Sequence, residues 1–304
     1  MTDLSPVLVF AYRRPDHLRH TLDALMRCKE FDNSPVIIYC DGARGPEDAA
    51  CVVETRKLAK EMLGEHAEYH FSDVNLGLSR SVISGVTDVI HRYGRVIVVE
   101  DDLSVNPYFL TFMNRALDRY SNEKQVFQIS GYMFDVSALK LIQSAVFFPF
   151  TVSWGWATWK RAWDEFDPMA SGWEALYNDR QLRYRFNLDG SYDYATMLIR
   201  QMTGMRDSWA IRWYWTVFKK KGLVLFPPAS LVSNTGFDGS GTHGRGMFRR
   251  FSQTKAAPLE TDISLPASIC VDADRFAGIK KRLKHQNGGH IGAFVNRVRQ
   301  LLNI

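Results

Sequence analysis

The sequence predicts an α/β protein, a mostly parallel sheet flanked by helices. Three observations predict it. Short apolar runs, PVLVFA (6–11), PVIIYC (35–40) and VIVV (96–99), have strand length and no polar alternation, as strands covered on both faces require. Longer stretches between them repeat apolar residues at helical spacing, the pattern of βαβ units. Each run then meets charge directly, at Arg13–Arg14, Asp41 and Glu100–Asp101–Asp102. Loops at the carboxyl ends of parallel strands, where open sheets bind ligands, read this way.

The elements follow in order. After the first strand, residues 15–28 place Leu18, Leu22, Leu25 and Met26 on one helical face, with Pro15 at the start. Residues 46–63 form a second helix through Ala49, Val52, Val53, Ala59 and Leu63. AEYHF (67–71) is a shorter strand, and 79–93 is a helix through Val82, Ile83, Val86, Val89 and Ile90. Beyond about residue 104 the pattern changes. A helix is expected at 107–120 and a strand at 126–130, and AVFFPFTV (145–152) suits a buried strand or loop. The eight tryptophans fall in two groups, at 154–173 and 209–215. A helix over 208–221 has Asp207 as its expected N-cap, with Lys219–Lys221 and then Gly222 at its end. No Gly/Ser linker precedes about residue 239, so one domain over 1–250 is expected. Its halves are 1–103 and 104–250, and they share a core. A basic helical tail occupies 251–304, with a break at QNGGH (286–290) and an amphipathic last segment, 291–304.

Composition sets limits. At 46% hydrophobic and 23% charged the chain has an ordinary globular balance. No apolar segment has bilayer-spanning length. Met1–Thr2–Asp3 opens with an acid and the apolar run after it is too short for a secretory signal, so a cytoplasmic protein is expected. Cys28, Cys40, Cys51 and Cys270 form no CxxC and no zinc spacing, and read as free thiols. The net charge of +5 is too mild and too scattered for a nucleic-acid binder. Its basic clusters suit anionic small molecules or an anionic membrane surface equally well. The amphipathic tail is accordingly read either as a core-packing helix or as a helix lying on the inner face of a membrane.

The three acids at 100–102 pose the chemical question. Carboxylates this close repel, and burying them requires a positive partner. If the strand continues through 102, Glu100 and Asp102 point one way and Asp101 the other. Hard oxygens so arranged suit Mn²⁺ or Mg²⁺, with a diphosphate completing the shell. The plain alternative is a solvated acidic turn.

An apolar strand ending in EDD resembles the DxD-type motif of GT-A glycosyltransferases. The likeness is to the N-acetylglucosaminyltransferase I family (glycosyltransferase family 13) and to related bacterial family-2-like sugar transferases. It extends to PVLVFAYRRPDHLRHTLDAL, VIIYCDGARGPED, EDDLSVNPYFLTF, VFQISGYMFD and FPFTVSWGWATW. The resemblance implies a GT-A (Rossmann-like) sheet and a metal-dependent, inverting transfer of sugar from a nucleotide donor, UDP-sugar favoured. The acceptor would be a hydroxyl of a glycan or lipid-linked molecule. It implies Asp102 as metal ligand, and Glu100 and Asp101 on the donor sugar and ribose. Arg14 and Asp41 would hold the nucleotide, Asn75 and Gly77 its closing loop, and His243 the donor phosphates. A carboxylate must take the acceptor's proton. Asp207 matches the family's catalytic stretch, with Asp135 and Asp193 as rivals. The departure from the family lies between about 165 and 205, where this chain has extra residues. Trp154 or Trp156 could form an aromatic acceptor platform, although core packing is the default for tryptophan.

Two other readings stay open. A sugar-phosphate nucleotidyltransferase shares the sheet and the metal, but AYRRPDH lacks the glycines of a triphosphate-gripping loop. A non-catalytic carbohydrate-binding protein on the same fold would bind donor without turnover.

Overall fold

The computed structural model describes residues 4–136, 144–236 and 263–286. Strands β1 (Val7–Ala11), β2 (Val36–Cys40) and β3 (Ala67–Phe71) alternate with helices α1 (Pro15–Met26), α2 (Pro46–Leu63) and α3 (Leu78–Tyr93). Strand β4 (Arg95–Glu100) follows. These are the elements expected from the sequence, to within two residues at each end. The largest difference is at α1, which stops at Met26 with Arg27 as its C-cap.

Next come β5 (Leu103–Val105), α4 (Phe109–Arg119), β6 (Val126–Ser130), β7 (Val146–Phe148), β8 (Trp156–Trp159) and α5 (Lys160–Trp163). After these lie α6 (Ala175–Asn178), α7 (Arg180–Phe186), α8 (Tyr194–Met202), α9 (Trp209–Lys219), β9 (Leu223–Phe226), β10 (Val232–Asn234) and α10 (Ala273–Gln286).

Eight strands form one sheet in the order β3-β2-β1-β4-β8-β6-β9-β7. Strands β3, β2, β1 and β4 pair in parallel. Strand β8 runs antiparallel between β4 and β6, β9 is parallel to β6, and β7 is antiparallel at the edge. The fold is therefore α/β with a mostly parallel sheet flanked by helices, as expected. Val7, Leu8, Val9, Val96, Ile97 and Val99 are completely buried, so each side chain contributes about 1.5–3 kcal/mol. That burial is why these runs carry no polar alternation.

Both halves share one hydrophobic core. Within the tail, residues 263–286 lie against this body. Tyr120 donates to the Pro266 carbonyl at 2.7 Å, Phe276 stacks near Phe148 and Phe150, and Ile279 is fully buried. The amphipathic segment 291–304 and His243 lie outside the described residues.

Nothing in the sequence announces β5 and β10, which pair antiparallel as a separate ribbon. At three residues each they are too short for periodicity to reveal. They bring residues 232–236 against the end of β4.

Candidate functional site

The site lies on the carboxyl rim of the parallel strands. Strand β4 ends at Glu100 and the chain turns at Asp101–Asp102, so strand alternation does not carry to residue 102. This corrects the pairing of Glu100 with Asp102 expected from an extended chain. Asp101 and Asp102 converge instead on one guanidinium. Arg14 Nη2 forms a short ion pair with Asp101 Oδ1 and a second, at 3.0 Å, with Asp102 Oδ2. In this structure the positive charge that meets the acids is an arginine at the start of α1.

Asp101 is almost fully buried and both its oxygens are occupied. Oδ2 accepts the Tyr12 N–H at 3.3 Å, while its carbonyl accepts from the Thr21 hydroxyl at 2.8 Å. It holds Arg14 and the strand end in place. Burial raises the Asp101 pKa to about 6, with Arg14 working against the rise. Burial, and then its two acidic neighbours, push Glu100 up to about 8, with Arg14 opposing the rise. Burial also opposes the charge on Arg14, but the two aspartates outweigh it and raise its pKa.

Asp102 is the more open member. Its Oδ1 lies 3.4 Å from the Asn234 side-chain nitrogen, and its carbonyl accepts the Thr235 N–H at 2.8 Å. Gly236 follows, with its N–H donating to Asn234 Oδ1 at 2.8 Å. A Cβ at Gly236 would stand 2.2 Å from Asp102 Oδ2. The segment is thus fitted against the acid. It opens the polar Gly-rich loop from which sequence reading singled out His243 alone.

Asp41, 9% exposed, anchors the facing loop. Its Oδ1 accepts from the Gly42 and Leu76 N–H groups at 2.9 and 2.8 Å, and its Oδ2 from Gly77 at 2.9 Å. Asn75 donates to the Gly42 carbonyl at 2.8 Å. Gly77 adopts φ +79° at the α3 N-cap, a backbone conformation that favours glycine. Asp41, Asn75 and Gly77 thus meet in one loop. Their visible work is to fix the loop 72–77. Tyr12 and Arg13 meet Asp48 beside it, and the Arg44 N–H donates to the Tyr12 hydroxyl at 3.0 Å, a cluster that sequence reading missed although Tyr12 and Arg13 directly follow β1.

Asp207 is not the cap of its own helix. Ser208 takes the N-cap position of α9, and Asp207 Oδ2 instead reaches the first turn of α3, 3.4 Å from the Ser79 N–H. The rival Asp193 is spent on α8, where it accepts the Thr196 N–H at 3.3 Å and the Asn187 amide. Asp135 is exposed. Trp156 is completely buried and stacks on Trp209, so it offers no platform. Trp154 does line a cleft, of about 170 Å³, with Tyr132, Phe134, Tyr192, Met197 and Tyr214. Tyr132 meets it edge-on at 4.8 Å.

A divalent ion can be tested against these residues. Among those described, no three His, Cys, Asp or Glu side chains gather into a closed metal centre. One or two carboxylates with substrate phosphates suffice for Mg²⁺-type ions. Asp102 supplies hard oxygens on the open side of the cluster, so the donor set fits that mode in kind. No helix among the described residues is long and apolar enough to cross a membrane.

No protein-family model matches the chain, and no curated protein does. Solved structures do resemble it. GalNAc-T7 with UDP, GalNAc and Mn²⁺ aligns over 77% of this chain and 44% of its own, at 10% identity and TM-score 0.46. The mannosyltransferase PcManGT from Pyrobaculum calidifontis, in complex with GDP-Man and Mn²⁺, aligns over 51% and 44%, at 13% identity and TM-score 0.35. A cytidylyltransferase from Leptospira borgpetersenii aligns over 54% and 64%, at 12% identity and TM-score 0.34. The match spans under half the length of both sugar transferases. At these scores the functional reading rests on this chain's own geometry.

Proposed function

We propose that this chain is a GT-A-type glycosyltransferase that moves a sugar from a nucleotide-diphosphate donor, a UDP-sugar by preference, to a hydroxyl of a glycan or lipid-linked acceptor. Polysaccharide synthesis at the cytoplasmic side of a membrane is the matching setting. The observation that carries the reading is the clasp of Arg14 on Asp101 and Asp102 at the carboxyl ends of β1 and β4, with the Asp41-held loop facing it. Open α/β sheets bind nucleotides at that rim.

In this reading Asp102 holds Mn²⁺ or Mg²⁺, which as a Lewis acid stabilises charge on the departing diphosphate. Asp101 positions Arg14. Arg14 turns its remaining donors to the donor phosphates, a role guanidinium geometry suits. Asp41, Asn75 and Gly77 shape the nucleotide pocket, and Glu100 lies against the donor sugar. His243, in the loop that continues from Gly236, meets the phosphates. Trp154 and its aromatic cleft take a sugar face of the acceptor. Asp207 receives the acceptor hydroxyl's proton as the new C1–O bond forms. The C1–O(phosphate) bond breaks with its electron pair leaving on the diphosphate, and in-line attack inverts the anomeric centre.

The test is a binding and hydrolysis screen over nucleotide sugars, with and without Mn²⁺. Metal-dependent binding of one UDP-sugar is expected, and Asp102→Asn should lower turnover by about 10²–10³. Pyrophosphate release from a nucleoside triphosphate and a sugar phosphate would instead mark a nucleotidyltransferase. Donor binding without any turnover or transfer would mark a carbohydrate-binding protein.

A further inference from the structure

A groove of about 810 Å³ runs along α3 and past the start of α9, outside the donor rim. Ser79 and Asp207, its head, share the lining with Arg80, Ile83, His91 and Arg212. The head adjoins the Asp41-held loop, since Asp207 Oδ2 lies 3.5 Å from the point where a Gly77 Cβ would stand.

Two observations point to a ligand there. The first is a buried hydroxyl. Ser79 is 4% exposed, and its Oγ has no hydrogen-bond partner among the described residues. A buried polar atom left unpaired calls for an explanation, and a bound molecule is one. Between that Oγ and the Asp207 carboxylate, a ligand hydroxyl would find both an acceptor and a donor.

The second is the charge balance. Both carboxylates on the groove are engaged: Asp88 accepts from the Tyr39 hydroxyl at 2.9 Å and pairs with Arg92, and Asp207 meets the α3 N-terminus. Arg92 is spent on Glu68 as well as on Asp88. Arg212 donates to the Ser208 and Pro168 carbonyls at 3.3 and 3.2 Å, which fixes its guanidinium on the groove wall. Arg80 is exposed and has no described partner. The charge left over is positive, and it lies beside the head, since Arg80 directly follows Ser79 on α3.

We propose that this groove takes the acceptor as a saccharide bearing an acidic substituent, a carboxylate or a phosphate. Its reacting hydroxyl sits at Asp207 and Ser79 and its acid on Arg80, with Arg212 behind. The inference rests on the glycosyltransferase reading and on Asp207 as its base, and it adds the acceptor's chemical class.

Methyl β-glucuronide, glucose 6-phosphate and neutral methyl β-glucoside are titrated into the full chain, with binding read by saturation-transfer NMR. UDP with Mn²⁺ is titrated into the same samples. At least one acidic saccharide should bind about tenfold tighter than the glucoside, and the margin should shrink with salt. Which acid binds separates carboxylate from phosphate. Arg80→Lys should keep the preference, Arg80→Ala should remove it, and Arg80→Glu should reverse it. Equal binding of acidic and neutral saccharides, or a preference that survives Arg80→Glu, overturns the proposal. UDP binding intact beside that result leaves the donor reading standing, whereas UDP failing to bind removes the donor reading itself.

Discussion

At the scale of single residues, the chemistry of the rim turns on Arg14. Its side chain is 19% exposed and that of Asp101 is 5% exposed, so the pair is largely desolvated. Removing one partner then strands buried charge. Arg14→Met should cost about 3 kcal/mol of stability by denaturant melting, and adding Asp101→Asn should recover part of it. In the reading of Asp102 as metal ligand, the methionine variant should also gain more melting temperature from Mn²⁺ than the wild type does. An equal gain would show that Arg14 and the cation do not share the aspartates. Gly236 makes a separate point. A Cβ there intrudes on Asp102 and approaches Arg14 Nη1 at 3.1 Å. Gly236→Ala should therefore weaken UDP binding about tenfold, roughly 1.4 kcal/mol by isothermal titration. The three acids were legible in the sequence as a site because an apolar strand runs straight into them. Their partner was not legible, because Arg14 lies 87 residues from Asp101 and periodicity carries no information on such pairing.

At the scale of elements, two contacts hold the loop 72–77 and α3 in place. Asp41 ties the end of β2 to the turn before α3 through three backbone N–H groups. Asp41→Ala should speed amide exchange at Leu76 and Gly77 and cost about 2–3 kcal/mol. Unchanged exchange would show that the turn holds by itself. On the outer side, Arg92 of α3 grips Glu68 of β3 and holds its pKa down to about 2, with burial opposing and His70 assisting. A depressed carboxylate pKa adds stability above its unfolded value, near 4.5, and that stability is lost as pH falls toward 2. The pair is surface-exposed, so the loss should be small, about 0.5 kcal/mol. It should vanish from the difference between pH 5 and pH 2 melts when Glu68→Gln is compared with wild type. Helices α1 to α4 and α9 and strands β1 to β4 and β6 were legible because each buries one face or both, whereas the short helices α5 to α8 were not. The β5–β10 ribbon was not, since three-residue strands carry too few side chains to show a period. The expected N-cap failed for a related reason. A residue such as Asp207 can serve the helix that follows it in sequence or one that packs beside it, and here it serves α3, 128 residues away.

At the scale of the whole molecule, the sheet joins both halves through β4 and β8, and α10 stacks Phe276 on Phe148 of β7 and buries Ile279 completely. Ile279→Ala should lower stability by about 2–4 kcal/mol while leaving one cooperative transition in calorimetry. A second, earlier transition would show that residues 263–286 melt apart from the body. The sequence by itself determined the α/β class, the order of its first seven elements and the rim on which charge collects. Those features follow from local burial, and a strand or helix announces the faces it buries through the spacing of its own residues. Only the tertiary structure decided what the acids touch. It brought Arg14, Asn234 and Gly236 to Asp102, set Asp207 on α3, and left Trp154 open while sealing Trp156. Each of these depends on segments far apart in the chain, and which of them meet is settled by packing free energy summed over the whole core.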